Sequence, residues 1–260
     1  ARKGMNPFNL DKKHIAITGA SSGLGHYFAK LLAANGAKVT LGARRAEKLE
    51  ENVSGIRSAG GTAIALPLDV RNSESIESFI SAAADEHGPI DVLINNAGVE
   101  AGSKTYMMID EDDWDLVMET NLKGAWLTAK TYTSHVEASD AAGGNIIMVS
   151  SISDRRANRG QFPYAISKGA LTRMTEVMAL EAARYRIRVN ALAPGYIVTD
   201  MNRSVLESEQ FVPFRNNIPM RRYGQLEDLD GPLLLLASDA SRYMTGSVLT
   251  ADGGHVCASL

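Results

Sequence analysis

The chain has 260 residues, enough for one large α/β domain or two small ones, and either would bury a substantial core. Charged residues make up 22% and the net charge is only −3, a balance that points to neither nucleic acid nor an anionic membrane surface as a partner. Cys257, the single cysteine, excludes an intrachain disulfide and favours a cytoplasmic setting, and no apolar run nears the ~20 residues of a membrane span.

Residues 1–8 are expected to form a tail, of which 1–4, ahead of Met5, read as an appended remnant. The basic opening has no apolar stretch behind it and is not a secretory signal. A first strand is expected at 14–18 ("HIAIT"), followed by a turn with Gly19, Gly23 and Gly25 and a helix that turns Leu24, Phe28, Leu31 and Leu32 toward a sheet. Glycines there let the backbone approach a pyrophosphate, and the helix N-terminus offers free amides and a positive dipole end. The spacing is G-x-x-x-G-x-G, not the common dinucleotide fingerprint, and a tight βα turn without a ligand would look the same. Residues 19–23 also fit G-x-S-x-G, which would make Ser21 a hydrolase nucleophile with Asp252 and His255 behind it. Against that, too few residues precede His14 to supply the upstream strands of an oxyanion hole.

Further strands are expected at 37–43, 62–68, 91–95, 145–150, 188–193 and 247–254, alternating with helical stretches. Seven strands so spaced imply right-handed crossovers and one doubly wound parallel sheet with helices on both faces. No repeat or compositional break divides the chain, so 9–260 reads as a single domain. The second strand ends at Ala43, Arg44 and Arg45. A guanidinium cannot accept from a ribose diol but pairs with a 2′-phosphate, so NADP(H) is favoured over NAD(H); the alternative is that both arginines only open an exposed helix. Asp69, ending the third strand, could accept from an adenine amino group or cap the helix that follows.

Tyr164 and Lys168 stand at i and i+4 on a helix beginning near Pro163. A phenol titrates near pKa ~10, and an ammonium beside it is expected to bring it toward neutrality, making Tyr164 a general acid/base. A core aromatic with a surface lysine is the other reading of that pair alone.

Taken together, "TGASSGLG" (18–25), "NNAG" (95–98), Ser151, "YAISK" (164–168) and "PG" (194–195) make the chain resemble a classical short-chain dehydrogenase/reductase along nearly its whole length. The resemblance implies a Rossmann-type fold and hydride transfer between nicotinamide C4 and a carbinol carbon. It implies Ser151 as the hydrogen-bond donor to the substrate carbonyl and Tyr164 as proton donor. Lys168 would tune the phenol and hold the nicotinamide ribose, and Asn121 would hold a relay water, unless its amide simply bonds nearby backbone. Coenzyme contacts are implied for Gly19, Ser21, Ser22, Gly23, Leu24, Gly25, Arg44, Arg45, Asp69, Val70, Asn95, Ala97, Gly98, Tyr164, Lys168, Pro194, Gly195, Ile197 and Thr199. A homotetramer is implied too, assembled through long helices near 113–138 and 163–185 and the C-terminal region.

Substrate choice is expected to lie with loop 151–163, segment 99–106 and a lid at 196–222. Phe162, Tyr196, Phe211 and Phe214 would wall an apolar pocket for a bulky ketone or secondary alcohol, hence a carbonyl reductase. Arg155, Arg156 and Arg159 could instead meet an acidic substrate or be solvated. Within the family the alternatives are a 3-oxoacyl-acyl-carrier-protein reductase or a sugar-acid, gluconate-type dehydrogenase. Outside it are a non-catalytic NAD(P) sensor and the Ser21 hydrolase. The five histidines lack metal-ligand spacing, and no metal site is assigned.

Overall fold

The structure, a computed structural model, describes residues 6–139 and 142–258; the expected remnant at 1–4 lies outside them. Seven strands form one parallel sheet: β1 His14–Thr18, β2 Lys38–Ala43, β3 Thr62–Pro67, β4 Val92–Asn95, β5 Gly144–Val149, β6 Ile187–Pro194 and β7 Val248–Ala251. Their order is β3-β2-β1-β4-β5-β6-β7, so the winding reverses between β1 and β4 and opens a crevice at the carboxyl ends of those strands. The first strand pairs Ile15 with Val39 of β2 on one side and with Val92 of β4 on the other.

Alternation along each strand feeds two cores. Ile15, Ile17, Val92, Ile94, Ile147 and Val149 pack against α1 Gly23–Ala34, α2 Ala46–Ser58 and a later helix, Asp230–Ala237. The opposite residues, among them Ala16, Leu93, Ile146 and Met148, pack against α3 Ser73–His87, α5 Gly124–Ala138 and α6 Phe162–Ala182. The expected helix at 113–138 starts at α4 Glu111–Met118, where Asp110 caps Asp113 N (2.8 Å), and passes into α5 through a π turn, Glu119–Lys123. A helix ending at Tyr185 is expected; α6 instead tightens into a 3₁₀ turn at Ala183–Tyr185 and stops where Arg186 takes a left-handed φ of 59°. The last strand ends three residues early because Gly253 and Gly254 (φ 65° and 85°) turn the chain out of the sheet.

After β6 the chain leaves the sheet for short helices α7 Arg203–Leu206 and α8 Val212–Asn216, then returns through a 3₁₀ turn to α9, the helix Asp230–Ala237. Its own small core is Val198, Leu206, Ile218 and Tyr223, with Tyr223 Oη donating to Phe211 O at 2.6 Å.

His14, on β1, is buried between Gly88 O and Thr40 Oγ1, each 2.8 Å from a ring nitrogen, and burial lowers its pKa from 6.5 to about 4, with His87 adding to the effect. Below pH 6.5 the unfolded chain therefore binds a proton that the native state refuses until about pH 4, so stability falls as pH falls through that window. In urea titrations His14→Gln is expected to shrink the loss of stability between pH 7 and 4.5 by about 2 kcal/mol. An unchanged pH slope would remove His14 as its source.

Candidate active site

At Gly19 and Gly25 the turn after β1 is packed too closely against the chain around it to carry side chains. Gly19 and Gly23 have positive φ (69° and 55°), and a Cβ on Gly19 would lie 2.7 Å from Ala97 Cα. A Cβ on Gly25 would lie 2.6 Å from Gly19 O. Asn96 staples the turn from β4, donating to Thr18 O (3.0 Å) and Gly19 O (3.2 Å), while Thr18 Oγ1 accepts from Asn96 N and Ala97 N, both at 3.0 Å. The Ser22 side chain does not cap α1, which leaves the amides of its first turn free for an anion. Ser21 Oγ accepts from Arg45 (2.8 Å) and donates to no histidine among the described residues, while Asp252 is occupied by Gly254 N and Val256 N and His255 packs against Tyr196. The hydrolase triad is not assembled.

Beside this turn lies a cavity of about 290 Å³ lined by Gly19, Ser21, Ser22, Arg44, Arg45, Asp69, Val70 and Ala97, together with Arg71. Arg45 Nη2 also donates to Ser22 Oγ at 2.7 Å, whereas Arg44 is exposed and makes no hydrogen bond among the described residues. Asp69 does not cap α3; Asn72 does, accepting from Ser75 N at 2.9 Å. The Asp69 carboxylate instead accepts from Arg71 N (3.0 Å) and Arg71 Nη2 (3.2 Å); burial pushes it up, but these bonds outweigh that and hold it below the usual range. A cavity rimmed by three guanidiniums fits a phosphorylated adenosine ribose. Arg44→Ala is expected to weaken NADPH about 10–100-fold in calorimetric titrations while leaving NADH within about twofold, the loss of one charge-assisted hydrogen bond. Equal losses for both would assign Arg44 to the surface.

A second cavity, of about 350 Å³, opens between the ends of β5 and β6. It is lined by Leu24, Ser151, Tyr164, Pro194, Gly195, Ile197 and Thr199, all singled out from the sequence, and by Glu100, Gln161 and Asn202, which were not. These three lie in the segments 99–106, 151–163 and 196–222, and nothing in a loop sequence says which side chain turns inward.

Ser151 follows β5, and its Oγ accepts from Ser153 N at 3.1 Å. One turn separates Tyr164 from Lys168 on α6, with Lys168 Nζ 5.6 Å from the phenol ring centre. Lys168 is buried and donates to Val149 O at 2.7 Å. The phenol is not drawn toward neutrality by the protein alone. Burial pushes Tyr164 up to about 12, Glu100 adds to this, and a hydrogen bond with Ser151 opposes it. Burial likewise brings Lys168 down to about 8, against the pull of Glu100. Desolvation thus outweighs an ammonium that is itself costly to charge and is aimed at a carbonyl.

Asn121, in the π turn, clamps the exit of β4: its Oδ1 accepts from Val99 N (2.8 Å), and its Nδ2 donates to Val99 O (2.9 Å) and Ser167 Oγ (3.1 Å). Gly98 packs beside it, a Cβ there falling 3.4 Å from Asn121 Oδ1. Asn95 does not line the groove; its Nδ2 donates to Ala125 O at 3.1 Å inside the sheet–helix core. Nor do three of the four expected aromatics wall the second cavity: Phe162 packs against Tyr106 and Trp114, Phe211 and Phe214 stack on each other in the lid, and Tyr196 alone lines it. Arg155 bonds Asp154 and Thr250, and Arg156 donates to His255 O (3.1 Å), so both face the C-terminal segment.

The residues fit a nicotinamide dinucleotide laid across the carboxyl edge of the sheet, from the arginine-rimmed cavity to Tyr164. Comparison with known proteins agrees. A family model described as enoyl-(acyl carrier protein) reductase matches residues 19–255. Gluconate 5-dehydrogenase of Gluconobacter oxydans is 34% identical over 248 residues, 95% of this chain and 96% of that one. A 3-oxoacyl-(acyl-carrier-protein) reductase of Chlamydia pneumoniae is 36% identical, covering 93% of this chain and 96% of its own. A gluconate 5-dehydrogenase of Burkholderia cenocepacia, solved with NADP and tartrate, superposes with a TM-score of 0.91 at 33% identity, over 97% of this chain and 98% of that one.

Proposed function

This chain belongs to the short-chain dehydrogenase/reductase family, and from that premise we propose that it is an NADP(H)-dependent oxidoreductase of small polyhydroxylated carbonyl compounds or their alcohols. That it is a nicotinamide-dependent oxidoreductase follows from the family; the coenzyme preference and the substrate class are our reading. The single observation that carries the reading is the second cavity, where Glu100, Ser151, Gln161 and Thr199 stand with Tyr164 among aliphatic residues such as Ile152, Val205 and Leu206, and where Tyr196 alone remains of the four aromatics expected for a bulky ketone. The relatives support the same shift, since a gluconate dehydrogenase stands among them.

A dinucleotide bound in this groove would supply or accept the hydride at its nicotinamide C4. Ser151 hydrogen-bonds the substrate oxygen and fixes the reacting carbon, and Tyr164 gives that oxygen its proton in reduction or takes it in oxidation. Lys168 would hold the nicotinamide ribose, its ammonium lying 5.6 Å from the phenol ring centre. Asn121 keeps the Val99 segment against α6. The segment 196–222 acts as lid. An exposed apolar stripe on α6, Phe162, Ile166, Val177 and Leu180, supports the homotetramer as the working assembly.

A panel of neutral ketoses, keto acids, 3-oxoacyl thioesters and bulky aryl ketones, each with NADPH, tests the reading by coenzyme oxidation. Turnover of the hydroxylated compounds is expected to lead. Best turnover of the thioesters would favour the second reading, an oxoacyl reductase, which the Chlamydia relative supports. Activity on aryl ketones alone would restore the bulky-ketone reductase.

A further inference from the structure

Glu100 is, among the described residues, the one carboxylate lining the substrate cavity; burial pushes its pKa up and the charge of Lys168 opposes this. It follows β4 by five residues, shares the cavity with Ser151 and Tyr164, is exposed toward its mouth, and makes no hydrogen bond or ion pair among the described residues. The backbone leading into it is anchored, because Asn121 holds both backbone groups of the preceding Val99. No arginine or lysine lines the cavity. The nearest ammonium, Lys168, is committed to Val149 O, and Arg155 and Arg156 are tied to the C-terminal segment. The Glu100 wall of the cavity therefore carries a carboxylate with no directly paired cation among the described residues. In the same cavity Gln161 has its Oε1 taken by Ser153 and Asn158 (both 3.3 Å), while its amide nitrogen has no partner among the described residues. A carboxylate that can only accept and an amide nitrogen that can only donate together match hydroxyl groups, which do both.

We propose that Glu100 is the specificity-determining residue of this cleft, selecting neutral polyhydroxylated substrates by accepting from their hydroxyls and rejecting carboxylated ones by like charge. The proposal rests on the oxidoreductase reading of the cleft and narrows it, placing the chain on the neutral-sugar side of its sugar-acid relatives. Asn202 is part of the frame: its Oδ1 accepts from Thr199 N (2.7 Å) and its Nδ2 donates to Ile197 O (2.9 Å), so it shapes the lid side without discriminating charge. Specificity of this kind is a difference between two substrates, and the unpaired charge acts on one of them only.

The test compares kcat/KM for neutral ketoses and matched keto acids in wild type and Glu100→Gln, with NADPH saturating. L-sorbose and 5-keto-D-gluconate form the sharpest pair, since they differ in a terminal hydroxymethyl against a carboxylate. The ratio within a pair cancels any effect of the substitution on Tyr164 that both substrates share. Wild type is expected to favour the neutral member at least about 10-fold, and Glu100→Gln to lower that ratio about 10-fold or more, mainly through KM for the acid. A wild type that prefers the acids, or a ratio unmoved by the substitution, overturns the assignment of Glu100 while leaving the oxidoreductase reading intact. Absence of turnover on every hydroxylated carbonyl, with NADPH still bound, overturns both.

Discussion

Tyr164→Phe is expected to lose about 10²–10⁴-fold in kcat while binding NADPH within about twofold of wild type. The substitution removes one oxygen and leaves the ring that packs beside Lys168, so neither α6 nor the coenzyme groove should change shape. What disappears is the group that exchanges a proton with the substrate oxygen. The phenol stands at about 12 in the protein by itself, chiefly through burial, so it is a firmly protonated donor before any coenzyme charge acts on it. Tyr196 lines the same cavity but packs against Tyr223 and His255, whereas it is Tyr164 that hydrogen-bonds Ser151. Residual activity at a tenth of wild type would assign proton transfer elsewhere.

Lys168→Met is expected to cost about 10²-fold or more in kcat and to weaken NADPH, with a melting temperature close to that of wild type. Methionine fills the same channel through the core, and burial of the ammonium already makes it costly, as its pKa of about 8 records. The variant leaves Val149 O without its donor but removes a buried charge, and the two effects offset each other. A lysine that served only packing would leave turnover intact. A large fall in melting temperature with unchanged specific activity of the folded fraction would mean that Lys168 is structural.

Much of this architecture was legible in the sequence because the relevant signals are periodic. The alternation in "NIIMV" sends Ile146 and Met148 to one core and Ile147 and Val149 to the other. The i, i+4 spacing of Tyr164 and Lys168 needs only a helix to become a site. The same logic, carried one residue further, would have corrected Asn95: the phase of β4 places it with Leu93 on the α5 side, and Asn96 on the groove side holds the glycine turn. Two features have no local signature. The π turn around Asn121 depends on how α4 and α5 meet α6, and the pKa of Tyr164 on how much of the phenol is desolvated, which spacing does not record. Arg71 and Glu100 escaped for a third reason, since they sit in irregular chain just beyond β3 and β4, where no period says which side chain faces the crevice.

The most direct test follows the hydride itself. With NADPH deuterated at both C4 positions and the carbonyl compound that the panel turns over best, the product alcohol is analysed by mass spectrometry for the wild type and Tyr164→Phe. The account predicts one deuterium on the carbinol carbon with wild-type enzyme and almost no product with the variant. Product formed without deuterium at that carbon, or formed equally well by the variant, would contradict it.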